Sequence, residues 1–191
     1  MIKLDNCLLI GKGSKRSCYQ NPNQDDHCIK VVHTGGTRTH FRTLREIKYI
    51  KKYKSKNFKE VPYYYGKTKT NLGTGYIFEK VKDWNGKTSI TLLDFINKDR
   101  NSMKIQNMIS QMYNSFLAHR AVISDLNPGN IVVQTTKKDN IPHLVLIDGI
   151  GNSDFIKICD YSKYFYKKKL NRKFNELTTT LNYQGLHLKE I

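Results

Sequence analysis

At 191 residues the chain is long enough for one good core or for two small lobes, and its apolar content of 38% is ordinary for a soluble protein. No window is long and apolar enough to span a bilayer, and no apolar run follows Met1-Ile2-Lys3-Leu4-Asp5-Asn6 as in a signal peptide. A cytoplasmic chain with no membrane span is expected. Lys and Arg number 33 against 16 Asp and Glu, a formal net charge of +17, which admits a polyanion as partner. The lysines are spread along the whole chain, as on a generally Lys-rich surface. Cys7, Cys18, Cys28 and Cys159 include no C-x-x-C pair, so they read as small buried or half-buried thiols, with no zinc site or disulfide framework.

Residues 4–11 read as a strand that ends in glycine. Gly11-Lys12-Gly13 follows, and two glycines one apart let backbone amides approach a ligand, phosphate oxygens among them. Without further support the same residues are a plain hairpin turn. A second strand around Ser17–Tyr19, a polar turn and a third apolar run, His27–Val32, come next. A helix directly after the glycines would mark a dinucleotide-binding unit, and none is expected here. Lys30 stands inside the third run. Phe41, Leu44, Ile47, Ile50 and Tyr53 recur at helical spacing over 41–53, with Glu46 at the edge of that arc. A lysine on a strand and a glutamate on the next helix can form an ion pair that presents the lysine to phosphates. The plainer alternatives are a solvent-facing Lys30 and a surface pair between Glu46 and Arg42.

Residues 61–69 and 75–81 flank Asn71-Leu72-Gly73 as a hairpin, so the first 80 residues give five short strands and one helix. The polar segment from Glu79 to Asp83 is a connector whose backbone could meet a purine ring. The expected lobes are 1–82 and 83–191. A short helix over 89–97 and a long one over 102–119 follow. The second carries Ile105, Met108, Ile109, Met112, Phe116 and Leu117 on one stripe, with Ser102 as its N-cap.

That helix delivers the chain to Ser124-Asp125-Leu126-Asn127-Pro128-Gly129-Asn130. Pro128-Gly129 turns the loop so that Asp125 and Asn130 can converge. Strands at 131–134 and 144–147 flank a polar loop over 135–142, and the second ends at Asp148-Gly149. Taken singly, Asp125 and Asn130 could be turn formers that cap their own backbone. Carboxylate, amide and carboxylate together make a hard oxygen set suited to magnesium shared with substrate phosphates. A basic, aromatic helix over 161–177 is either a surface helix or a polyanion-docking face. Residues 178–191 read as a soft tail.

The order of these parts resembles the protein-kinase-like superfamily, and the wording SDLNPGNIVV with LVLIDGIG looks like the YrbL family, the PhoP regulatory network proteins of bacteria. The resemblance covers roughly residues 5–160. It implies an α+β, bilobal kinase-like fold: an antiparallel five-stranded sheet with one helix, then a small, mainly helical C-terminal lobe carrying a catalytic-loop hairpin. It further implies ATP and Mg2+ as cofactors and a hydroxyl acceptor, protein or small molecule. Asp125 would accept the hydroxyl proton, Asn130 and Asp148 would hold magnesium, and Lys30 would contact the nucleotide phosphates. Glu46 would fix Lys30, Gly11 and Gly13 would form the Gly-rich loop, and Glu79 would lie on the nucleotide-binding connector. The chain departs from the kinase pattern at Ile123, where His is usual, near Arg16, where the loop's third glycine is replaced, and after Asp148, where Gly149 follows directly. No Ala-Pro-Glu segment follows. A pseudokinase-type nucleotide-binding module and a basic nucleic-acid-binding protein are the alternatives.

Overall fold

The computed structural model describes residues 1–33, 36–137, 142–154 and 158–191. The chain divides into two compact units. Unit 1 comprises Met1–Lys52 and Pro62–Val81; unit 2 comprises Tyr53–Val61 and Lys82–Ile191.

Unit 1 is built on a five-stranded antiparallel sheet: β1 (Leu9–Lys12), β2 (Arg16–Gln20), β3 (His27–Val32), β4 (Tyr64–Thr70) and β5 (Gly73–Glu79), in the order β1-β2-β3-β5-β4. A short 3-10 helix at Asn6–Leu8 replaces the first half of the strand expected over 4–11. Period-two alternation splits β3 between the two faces of the sheet. Ile29 and Val31 point one way and pack with Tyr19 and Leu4 in a small core. Cys28 and Lys30 point the other way, with Tyr76 and Phe78 of β5 directly opposite in register. Lys30 is therefore only 8% exposed, and the solvent-facing alternative fails.

Helix α1 (Gly36–Lys54) covers that second face, its His40 ring bonded to the Tyr76 hydroxyl at 2.9 Å. Its inward side keeps Ile47, Ile50 and Tyr53 of the stripe that hydrophobicity suggests, but not Phe41 and Leu44. Thr39, Thr43, Glu46, Ile47 and Ile50 are buried, whereas Phe41 is 66% exposed and Leu44 is exposed too. A buried ion pair at Glu46, described below, keeps polar residues inside and turns the two apolar ones out.

Unit 2 centres on α3 (Ser102–His119), whose predicted stripe is buried from Ile105 through Phe116. Asn101 caps it instead of Ser102, accepting from Lys104 N. The Tyr53–Val61 segment contributes Phe58, which packs edge-on to Phe116; Phe116 in turn meets Phe174 of α5 (Lys163–Asn182). A three-stranded sheet of β6 (Ile90–Thr91), β7 (Ile131–Gln134) and β8 (His143–Leu146) stands beside them. Helices α2 (Leu92–Lys98) and α4 (Ile158–Tyr161) complete the unit. Among the described residues no helix is long and apolar enough to cross a membrane.

The soft tail expected over 178–191 is docked. Leu186 and Leu188 are buried, Asn182 brackets Leu188 with both ends of its amide, and Lys189 N donates to Gln106 Oε1 at 2.8 Å. Helix α5 runs on to Asn182 because Leu177 and Leu181 continue its apolar arc into the core. The cysteines are free: Cys28 and Cys159 are buried, Cys18 is half-buried, and Cys7, contrary to expectation, is exposed.

Candidate active site

In unit 2 the chain leaves α3 through Arg120, a left-handed residue at φ 49°. Two tyrosines hold this exit. Tyr53 OH accepts from Val122 N at 2.9 Å and donates to Arg120 O at 3.4 Å. Tyr166 OH donates to Phe116 O at 2.6 Å. Burial pushes the Tyr53 phenol up to about 12, and it raises the Tyr166 phenol as well. Both hydroxyls therefore remain donors well into alkaline solution.

Past the exit, two loops lie against each other. Ile123 bridges Ile150, and Gly151 N donates to Val122 O at 2.7 Å. The Gly149 carbonyl accepts from Ser124 N (2.8 Å), Asp125 N (3.2 Å) and the Ser124 hydroxyl (2.9 Å). Gly149 itself has φ +91°, and a Cβ there would lie 2.2 Å from Asp125 O. Only glycine allows the backbone after Asp148 to come this close to the backbone of Asp125. The direct Asp148-Gly149 sequence thus has a steric cause.

The turn after Asp125 is a 3-10 helix, Pro128–Asn130, capped by Asn127, whose Oδ1 accepts from Gly129 N at 2.9 Å. It returns Asn130 to Asp125: Asn130 Nδ2 donates to Asp125 Oδ2 at 3.1 Å. Ile147 N donates to Asn130 O at 2.8 Å, which brings the end of β8, and so Asp148, alongside. Asp125 is exposed, and Asn130 and Asp148 are half-buried. With its amide nitrogen committed to Asp125, Asn130 keeps its amide oxygen as an acceptor. Among the described residues no cluster of three or more His, Cys, Asp or Glu could hold a metal unaided. Magnesium makes no such demand: one or two carboxylates suffice when substrate phosphates and water complete the shell. The donor set fits it.

Behind this loop pair lies a network that sequence reasoning missed. Lys169 of α5 is buried and donates to Asn152 Oδ1 (3.1 Å) and Asp154 Oδ2 (2.7 Å). It ties down the segment that follows Gly151. A signal was present, because Lys169 falls between Tyr166, Leu170 and Phe174 on the apolar arc of its helix.

In unit 1, Lys30 Nζ lies 4.7 Å from the centroid of the Phe78 ring. Glu46 is buried, and its Oε2 accepts from Arg16 at 2.7 Å. The surface pair with Arg42 is therefore replaced by a buried partner from β2. Gly11 lies on β1 and Gly13 in the tight turn that follows, where Gly13 N donates to Arg16 O at 2.8 Å. Nothing lies within 4 Å of a Cβ built on Gly11. Glu79 ends β5, and its Oε2 accepts from Tyr63 N at 2.9 Å, so that side chain braces its own sheet edge.

Comparison with known proteins agrees with this architecture. The family model described as PhoP regulatory network protein YrbL matches residues 2–182. That extent takes in α5, beyond the residues that carried the resemblance. The chain is 31% identical over 178 residues to the YrbL proteins of Escherichia coli (strain K12) and Shigella flexneri, covering 90% of this chain and 84% of each of theirs. Among solved structures it is similar to the crystal structure of the PF14_0431 kinase domain, with a TM-score of 0.54 and 19% identity. That match covers 78% of this chain but only 51% of the kinase chain, and at such identity it speaks to fold alone.

Proposed function

We propose, from the premise that this chain belongs to the YrbL family of PhoP regulatory network proteins and has a protein-kinase-like fold, that it is a phosphotransferase. It would use ATP and magnesium and pass a phosphoryl group to a hydroxyl acceptor. The observation that carries the reading is the hydrogen-bonded Asp125–Asn130 pair, backed by Gly149 through three hydrogen bonds to its carbonyl. Such a loop spends no free energy on reorganising when charge develops, and phosphoryl transfer depends mostly on positioning and charge stabilisation.

On this reading Asp125 accepts the proton of the acceptor hydroxyl. Asn130 and Asp148 are the metal ligands. Magnesium held by them would supply positive charge against the phosphates. Lys30 contacts the phosphates and Glu46 steadies the basic groups around it. Gly11 and Gly13 bring backbone amides to the phosphates, and the backbone at Glu79 meets the purine. One observation favours a second reading, a nucleotide-binding module without turnover: the residue two before Asp125 is Ile123, a buried bridge residue that can exchange no proton.

Two measurements decide. ATP with magnesium should raise the melting temperature of the wild type, by the equivalent of about 2.7 kcal/mol at a hundredfold excess over Kd. Labelled ATP should be turned over, or should label the protein, and Asp125→Asn should cut that rate about a thousandfold while keeping nucleotide affinity within a factor of about three. A shift without turnover would select the binding module. Neither shift nor turnover would sink both.

A further inference from the structure

Arg16, the partner of Glu46, lies outside every role assigned so far. Arg16 is the first residue of β2, and its carbonyl closes the Gly-rich turn by accepting from Gly13 N at 2.8 Å. Its guanidinium reaches α1, donating to Glu46 Oε2 at 2.7 Å and to Thr43 Oγ1 at 3.3 Å. The pair is well shielded, with side-chain exposures of 16% and 7%. Thr43 is fully buried, and its hydroxyl donates in turn to Thr39 O at 3.0 Å. On the other side of the turn, a His33 ring nitrogen lies 3.2 Å from Gly13 O, and His33 N donates to Lys15 O at 3.1 Å. Cys18, two residues after Arg16, pairs with Lys30 across the ladder. A single side chain therefore joins the tip of the Gly-rich hairpin to the helix beneath it, on the strand next to Lys30.

We infer that Arg16 is a positioning residue for the nucleotide phosphates: held by Glu46, it sets where the Gly11–Gly13 amides stand relative to the Lys30 ammonium. This rests on the nucleotide-binding reading above. Where a three-glycine loop leaves its last position without a side chain, this chain has an arginine anchored to α1. Arg is suited to the task, because its long side chain brings one guanidinium nitrogen, which stays charged at any working pH, within reach of carboxylate and hydroxyl alike. Glu46 thereby braces the loop through Arg16.

The test compares ADP with adenosine, which differ only in the phosphates. Arg16→Gln should weaken ADP binding about tenfold and leave adenosine within twofold. Arg16→Lys, which keeps the charge on a shorter side chain, should fall between. Removing one partner alone takes a shielded charge's 2.7 Å counter-charge away, so Arg16→Gln and Glu46→Gln should each lower the melting temperature. The double variant removes both charges of the pair: its melting temperature should return toward wild type, while its ADP affinity stays low. Recovery of ADP affinity together with the melting temperature would make the pair a packing feature only and overturn the inference. So would equal losses for ADP and adenosine, or unchanged ADP binding by Arg16→Gln. If the wild type binds neither ligand, the nucleotide reading falls and takes this inference with it.

Discussion

The two units hold their candidate functional residues by different means. In unit 2 the carboxylate loop is held mainly by backbone: two amides, joined by the Ser124 hydroxyl, donate to one carbonyl, beside a β-bridge and a glycine with no room for a Cβ. In unit 1 the Gly-rich turn is exposed, open space surrounds Gly11, and its tie to the helix is a side-chain ion pair. At Gly149 the backbone lock tolerates no side chain, because a Cβ there would strike Asp125 O. A side-chain tie can be loosened by one mutation without unfolding the sheet. Unit 2 thus holds its loops by close backbone approach and unit 1 holds its turn by a side-chain tie.

The comparison breaks first at Gly149. Gly149→Ala combines a strained φ with a clash against Asp125 O, so the loops must part. A loss of about 3 kcal/mol is expected, a fall of roughly 6–12 °C in Tm and, on the proposed function, the abolition of turnover. A variant that melts with the wild type would show that the two loops are not locked in solution.

Tyr53 sharpens the contrast from a second direction. An unfolded tyrosine ionises near 10, whereas folded Tyr53 keeps its proton to about 12. Its contribution is therefore fully present below pH 10 and is lost as pH rises toward 12, to the extent of about 2–3 kcal/mol. Tyr53→Phe should cost about 1–2 kcal/mol at neutral pH, because buried Val122 N loses its partner, and should flatten the alkaline fall. Urea melts between pH 8 and 11.5 measure both; parallel slopes for variant and wild type would refute the assignment.

Gly11→Ala is the smallest effect and the sharpest contrast with Gly149→Ala. With nothing within 4 Å, a methyl group should change stability by less than about 0.5 kcal/mol. On the proposed function it should still weaken ATP binding about fivefold, by standing where phosphate oxygens approach the backbone. Unaltered ATP affinity would return the turn to a plain hairpin.

Much of this was legible in the chain itself. The hairpin of β4 and β5, the buried stripe of α3 and the convergence of Asp125 with Asn130 follow from local patterns: turn residues, helical periodicity and a five-residue spacing. Those patterns act over distances the chain spans in a single turn or loop. The facing of α1 was not legible, since Phe41 and Leu44 look like core and Thr43 and Glu46 do not. What reversed them was an arginine thirty residues earlier, which makes a buried carboxylate tolerable on that side of the helix. The tail was misread for the same reason: Leu186 and Leu188 are too few to declare a core until Gln106 and Asn182 supply partners for its backbone.

The sequence by itself determined the kinds of elements, their order, the acid-amide-acid set and the family. Tertiary structure alone decided which polar groups share a buried charge, why glycine must follow Asp148, and which tyrosines secure the exit from α3. Burial and pairing depend on neighbours distant along the chain, and a residue's own pattern carries no record of them.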